Sequence, residues 1–173
     1  MFDPRPIEEE HIEALVEAMR LAPSCNNNQP WRVIFCSGDP LPRLKEALTK
    51  GNVWATATPL IITVAGKPSD DCRSNEGRDY FKFSCGLAVG QMLLRATELG
   101  IVTHPIAGFD PVKVREVLEV PPDYVVIALI ICGYPGTDES LLSDKQKAQQ
   151  RVRPERRPAG DNFFRDGWGR PLT

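Results

Sequence analysis

The stretch Ala22-Pro23-Ser24-Cys25-Asn26-Asn27-Asn28-Gln29-Pro30-Trp31 joins a helix-like segment to a strand-like one. Before it, Ile12, Leu15, Val16 and Met19 recur at helical spacing between Glu8 and Leu21, with acidic residues in the first turn, where the helix dipole favours them. Pro23 cannot extend that helix and pushes Leu21-Ala22 toward its end. After it, Arg32-Val33-Ile34-Phe35-Cys36 is a strand-like run. Asn tolerates left-handed backbone and bonds its own main chain, so Asn26 to Asn28 read as an ordered polar turn. The loop carries amide donors and acceptors with a large aromatic at its exit, equipment that suits a flat heteroaromatic ligand with carbonyl and ring-nitrogen edges. A capped helix-to-strand connection accounts for the same residues without a ligand.

Downstream, Ser37-Gly38-Asp39-Pro40 is a turn, and Leu41 to Lys50 reads as a short helix stopped by Gly51. Asn52 to Thr58 fits either a helical turn or a loop. Leu60-Ile61-Ile62-Thr63-Val64 is an apolar, β-branched run and so a buried strand. Lys67 to Arg78 is a charged surface loop that could be mobile. Tyr80 to Leu99 is the longest helix, with apolar residues round much of its circumference, which argues burial on more than one side. At about 30 Å for 20 residues it belongs at the centre of the structure. Ile101-Val102-Thr103 is a brief strand or an approach to Pro105. Asp110-Pro111 starts a helix that runs to about Leu118, and Val125 to Cys132 is an almost continuous apolar strand. From Thr137 the chain turns polar and basic, yet Phe163, Phe164 and Trp168 are costly to leave in water, so this tail is expected to dock on something, a partner subunit being a fair candidate.

A chain of 173 residues allows one domain with a real core. Its composition, 42% hydrophobic and 25% charged, is ordinary globular. A net charge of -2 gives no general attraction for nucleic acid or an anionic membrane. No apolar run approaches the roughly 20 residues of a membrane span, and the acidic N-terminus is unlike a signal peptide. Cys25, Cys36, Cys72, Cys85 and Cys132 are odd in number and include no C-x-x-C pair, so reduced thiols in a cytoplasmic protein are expected, with neither a disulfide framework nor a metal site. There is no Ser/His/Asp set, no paired carboxylate in suitable loops and no P-loop. No catalytic side chain is therefore assigned.

Ala-Pro-Ser-x-x-Asn-x-Gln-Pro-Trp resembles the signature of the nitroreductase-like family of FMN-dependent oxidoreductases. Gly86-Leu87-Ala88 opening a long apolar helix, His104 to Asp110, Cys132 to Gly136, and Arg156-Arg157-Pro158 followed by Trp168-Gly169 are similar to the same family, in its order and over nearly the whole chain. The resemblance implies an α+β fold, a small and mainly antiparallel sheet flanked by helices in an intertwined homodimer. Residues 1–173 would form a single domain, with 150–173 as a C-terminal tail on the partner subunit and Tyr80–Leu99 at the dimer interface.

It also implies FMN between subunits, with NAD(P)H reducing a nitroaromatic, quinone or similar acceptor by ping-pong hydride transfer. Pro23, Ser24 and Asn27 would lie against the ring and ribityl region, with Cys25 where some members carry a second serine. Asn52 would contact the pyrimidine side. The backbone of Pro105, Ile106, Ala107 and Gly108, in the segment that opens with His104, would cover the ring and donate an N–H; backbone donors suffice where Ala107 replaces the family's frequent Glu. His104 itself reads as structural. Arg156 matches a tail arginine that reaches the phosphate, whereas the family's N-terminal Arg-x-Ser-x-Arg motif has no counterpart here and Arg5 does not replace it. A flavin-binding protein with little or no redox turnover is the alternative function, and a ligand-free dimeric structural protein ranks third.

Overall fold

Four strands carry the first unit: β1 (Arg32–Cys36), β2 (Leu60–Gly66), β3 (Val102–Ile106) and β4 (Val125–Gly133). They form one antiparallel sheet in the order β1-β2-β4-β3. The computed structural model describes residues 1–73 and 76–172, so Ser74 and Asn75, within the loop expected between Lys67 and Arg78, lie outside the described residues. The chain forms two compact units, Met1–Leu141 and Leu142–Thr173.

Central position explains the apolar runs of β2 and β4, since both their faces are covered. Leu60, Ile62, Val64, Ile130 and Cys132 face α1 (Glu9–Arg20) and α3 (Tyr80–Glu98). Ile61, Leu129 and Ile131 face the layer of α2 (Pro40–Lys45) and α4 (Pro111–Leu118). Fully buried side chains of this size each contribute about 1.5–3 kcal/mol relative to exposure. Pro105 lies inside β3, which the sheet accepts because β3 is an edge strand and a missing N–H there breaks no inner ladder.

The long helix buries Phe81, Ser84, Cys85, Ala88, Met92 and Ala96 along one face, while Phe83 (55%) and Leu94 (71%) stay exposed in the single chain. Expected burial on more than one side is thus met on one side within this chain. Asp110 caps α4 through Oδ1, which accepts from Val112 N at 2.9 Å and Lys113 N at 3.2 Å, with Pro111 at the first helical position.

The helix expected over Leu41–Lys50 stops at Lys45. Glu46, Ala47 and Leu48 bond back three residues, tightening the last turn. Leu48 then bridges Phe109, while Asp110 N donates to Ala47 O at 2.8 Å and Thr49 N to Gly108 O at 3.1 Å. Tertiary pairing with the 108–110 segment overrides the local helical pattern. The ambiguous stretch after it resolves as a 3-10 helix over Lys50–Ala57.

In the second unit, α5 (Asp144–Arg151) opens on a capping box in which Ser143 and Gln146 satisfy each other's backbone. The four-residue α6 (Ala159–Asn162) follows, and Phe164 bridges Pro171. Trp168 packs on Phe164, with centroids 5.2 Å apart, yet remains 93% exposed.

Candidate functional site

The loop after α1 folds as a 3-10 turn over Cys25–Asn27, with left-handed backbone at Asn26 (φ 48°), Asn27 (φ 57°) and Gln29 (φ 47°). Asn takes that conformation readily, whereas Gln29 does so against its preference, so other contacts must hold it. Some are internal: Ser24 Oγ accepts from Gln29 N at 2.9 Å, and Gln29 Nε2 donates to Asn27 Oδ1 at 3.2 Å. The others come from residues 71–72. Asn28 Nδ2 donates to Asp71 Oδ1 at 3.3 Å, and Asp71 is itself fixed by Ser84 Oγ at 2.8 Å and Cys72 N at 2.7 Å.

A disulfide joins Cys25 to Cys72, across 47 residues and a Cα–Cα distance of 6.0 Å. This corrects the expectation of five reduced thiols. Parity misled because Cys36, Cys85 and Cys132 are buried core residues that take no part. Burial pushes the thiols of Cys85 and Cys132 up to about 11 and about 12. The 67–73 part of the charged loop is likewise anchored, with Asp71 buried. Cys25, Asp71 and Cys72 set three possible metal-ligand atoms within 4.8 Å of one another, but the sulfur–sulfur bond occupies both thiols. Trp31, the aromatic at the loop's exit, is partly buried against the core.

The second cluster forms where 49–52 meets the turn after β3. Gly108 O accepts from Asn52 Nδ2 at 2.9 Å, Thr49 Oγ1 at 3.0 Å and Thr49 N at 3.1 Å. A Cβ on Gly108 would fall 2.5 Å from Asn52 Nδ2 and 2.8 Å from Thr49 Oγ1, so any larger residue here must push these two side chains out of the clamp. Trp54 holds the segment from the other side, stacked near Phe2 (6.2 Å) and edge-on to His104 (4.9 Å). His104 is structural in this setting, and burial pushes its pKa below the ordinary 6.5. With one N–H of Asn52 committed, its Oδ1 and second N–H still offer an acceptor and a donor. That pair complements the imide edge of a flat heteroaromatic ring, so the donor set fits one.

Register locates the two clusters. Arg32 pairs with Ala65, Ala65 with Val126, and Ile106 with Leu129, so the 23–31 loop and the 107–108 turn leave from the same end of the sheet. They leave from opposite edges, β1 and β3, three strand spacings or about 14 Å apart. Pro23, Ser24, Cys25 and Asn27 therefore belong to one edge, and Asn52 with Pro105, Ile106, Ala107 and Gly108 to the other. Arg156 is exposed in the second unit, between α5 and α6. Arg5 sits over the Tyr134 ring at 3.7 Å. Thr49, Asp71 and Cys72 were not among the residues singled out from sequence, because their roles depend on partners more than 40 positions away.

Residues 1–63 and 41–134 match the model of the nitroreductase family. A provisionally named NADH dehydrogenase/NAD(P)H nitroreductase of Archaeoglobus fulgidus is 29% identical over 161 residues, covering 90% of this chain and 88% of that protein. An oxygen-insensitive NADPH nitroreductase of Helicobacter pylori is 26% identical over 171 residues, with 79% and 81% covered. The crystal structure of an oxidoreductase containing FMN superposes with a TM-score of 0.83 at 27% identity, covering 96% of this chain and 86% of that one.

Proposed function

The chain belongs to the nitroreductase family, and from that premise we propose that it is an FMN-dependent oxidoreductase that uses NAD(P)H to reduce a nitroaromatic, quinone or similar acceptor. One observation carries the reading. The amide-bearing turn at 24–29 and the Asn52–Gly108 clamp, from which the family resemblance draws its ring contacts, stand at one end of one sheet.

FMN, when bound, supplies the hydride-accepting and hydride-donating chemistry. The protein's part is to hold and orient. Asn52, fixed by Gly108 O, would offer its free amide atoms to the pyrimidine edge. The turn at Ala107–Gly108 supplies a backbone N–H, a donor that needs no reorganisation. Ser24 and Asn27 meet the ring and ribityl region, their turn held rigid by Gln29 and by the Cys25–Cys72 bond. Arg156 serves as a charge-assisted partner for the phosphate. With FMN held there, NAD(P)H and the acceptor would react in turn, in ping-pong order.

Opposite-edge placement favours a homodimer. A ring touching both clusters of one chain would have to span the ends of β2 and β4, whereas two chains can each supply one cluster to a shared site. The exposed face of α3 supports this, since Phe83 and Leu94 lie open and a Cβ at Gly86 or Gly90 would meet nothing. The exposed Phe163 and Trp168 suit a tail that docks on the partner subunit.

The absorbance spectrum of FMN-reconstituted protein under anaerobic conditions is the test. NADH or NADPH should bleach the flavin bands, and a quinone or nitroaromatic should restore them. Bands that persist after both nucleotides would overturn the enzymatic reading.

A further inference from the structure

We propose that the Cys25–Cys72 disulfide is a redox latch on the 23–29 loop: closed, it holds the turn in its ligand-ready shape, and reduction by a dithiol releases it. The effect on the ligand rests on the reading of Ser24 and Asn27 as FMN contacts; the latch itself rests on the loop.

The loop is shaped in part by ties to residues outside its local sequence. Three residues in four are left-handed, Asn26 and Asn27 by preference and Gln29 against it, and the disulfide ties the turn they form to residue 72. Its far end is firmly seated: Cys72 follows Asp71, whose carboxylate accepts from Ser84 Oγ, buried on α3. The pair thus connects a strained surface turn to the core. Breaking it leaves the turn with its internal bonds and with the side-chain contacts of Asn26 and Asn28 to Asp71 and Cys72, none of them covalent.

Accessibility separates this pair from the other thiols. Cys25 and Cys72 are partly exposed, whereas Cys36, Cys85 and Cys132 are buried, so exchange chemistry in the folded protein is confined to one bond. A half-exposed disulfide exchanges with whatever thiol pool surrounds it. The surroundings also choose the direction of attack. Asn26 Nδ2 and Asn28 Nδ2 lie 3.6 and 3.7 Å from Cys72 Sγ and stabilise negative charge there, making Cys72 the better leaving thiolate and Cys25 Sγ the atom attacked. Asp71, with a carboxylate oxygen within 4.8 Å of both sulfurs, opposes charge on either one, whereas the two amides favour Cys72 alone. One thiolate of an external dithiol bonds to Cys25 Sγ as the sulfur–sulfur bond to Cys72 breaks, and Cys72 takes a proton. The second thiol displaces Cys25, which is protonated in turn. The dithiol is oxidised to its disulfide by two electrons, and the protein disulfide is reduced to two thiols.

If the released turn spends about a tenth of its time in the competent shape, apparent affinity falls about tenfold. Three measurements on the full chain decide the matter: thiol titration, hydrogen exchange across 23–31, and FMN titration, each before and after treatment with dithiothreitol. The oxidised protein should show no rapidly reacting thiol and the reduced protein two, with faster exchange confined to 23–31 and 67–73 and a Kd for FMN about tenfold weaker. Cys72→Ser should show one reactive thiol, that of Cys25, match the reduced form in exchange and FMN affinity, and ignore the reductant; should it fail to fold, the wild-type comparison still decides. Unchanged exchange in 23–31 on reduction overturns the latch, as does a protein whose two thiols stay free under mild oxidant. Faster exchange with FMN bound equally by both forms also overturns it as a control on the ligand, leaving the flavin reading intact. No FMN binding in either form overturns the flavin reading, while the exchange result still judges the latch.

Discussion

The 23–29 turn and the Asn52–Gly108 clamp do the same kind of work by different means. The turn is strained backbone held by side chains: a disulfide, an amide–carboxylate contact and a serine hydroxyl. The clamp is unstrained backbone held by fit, with three donors on one carbonyl and a glycine against which an amide packs too closely for a Cβ. One region depends on covalent chemistry that solution conditions can reverse. The other depends on shape, which only a mutation can change.

The largest effect should come from the turn. Cys72→Ser removes a cross-link spanning 47 residues, and loss of such a bond typically destabilises by about 2–4 kcal/mol. Thermal unfolding of the variant in the absence of reductant should therefore begin well below wild type, and adding dithiothreitol should bring wild type down to match. Equal melting temperatures throughout would place the turn's stability in its hydrogen bonds and erase the contrast.

Gly108→Ala tests the clamp and should come next. The added methyl must displace Asn52 Nδ2 or Thr49 Oγ1, at about 1–3 kcal/mol for overpacking. Denaturant unfolding should report that loss with no dependence on reductant. A neutral result would mean that the two side chains swing aside freely, and that the clamp orients nothing.

The smallest effect is electrostatic. Burial lowers the pKa of His104, so below the ordinary 6.5 the unfolded chain binds a proton that the native one resists. Stability is full above that value and declines as pH falls through the window between 6.5 and the depressed native value. His104→Gln should flatten this acid-side slope in unfolding curves recorded across the window. An unchanged slope would mean that the Trp54–His104 contact leaves the ring as solvated as in the unfolded chain.

The same contrast explains what could be read from the residues alone. Periodicity located β1, β4 and α4 closely, because alternation and caps are local properties. Asn52 and Gly108 were both identified, but as two separate ligand contacts; that they bind each other follows from the Leu48–Phe109 bridge, which also ended α2 early. Cys25 was identified while Cys72 was not, since no sequence period links a turn to a loop 47 positions on. Pairs made by the fold leave no mark on either local pattern.

The composite site is most directly tested by mixing two defective chains. Asn27→Ala damages the contribution of one edge and Asn52→Ala that of the other, and each homodimer carries the defect in both of its sites. In a purified mixed dimer assembled from the two variants, one site would draw both clusters intact and the other neither. Titration should then give tight FMN binding at one site per mixed dimer, absent from either parent. A mixed dimer that binds no better than its parents would contradict the assignment of the two edges to two chains.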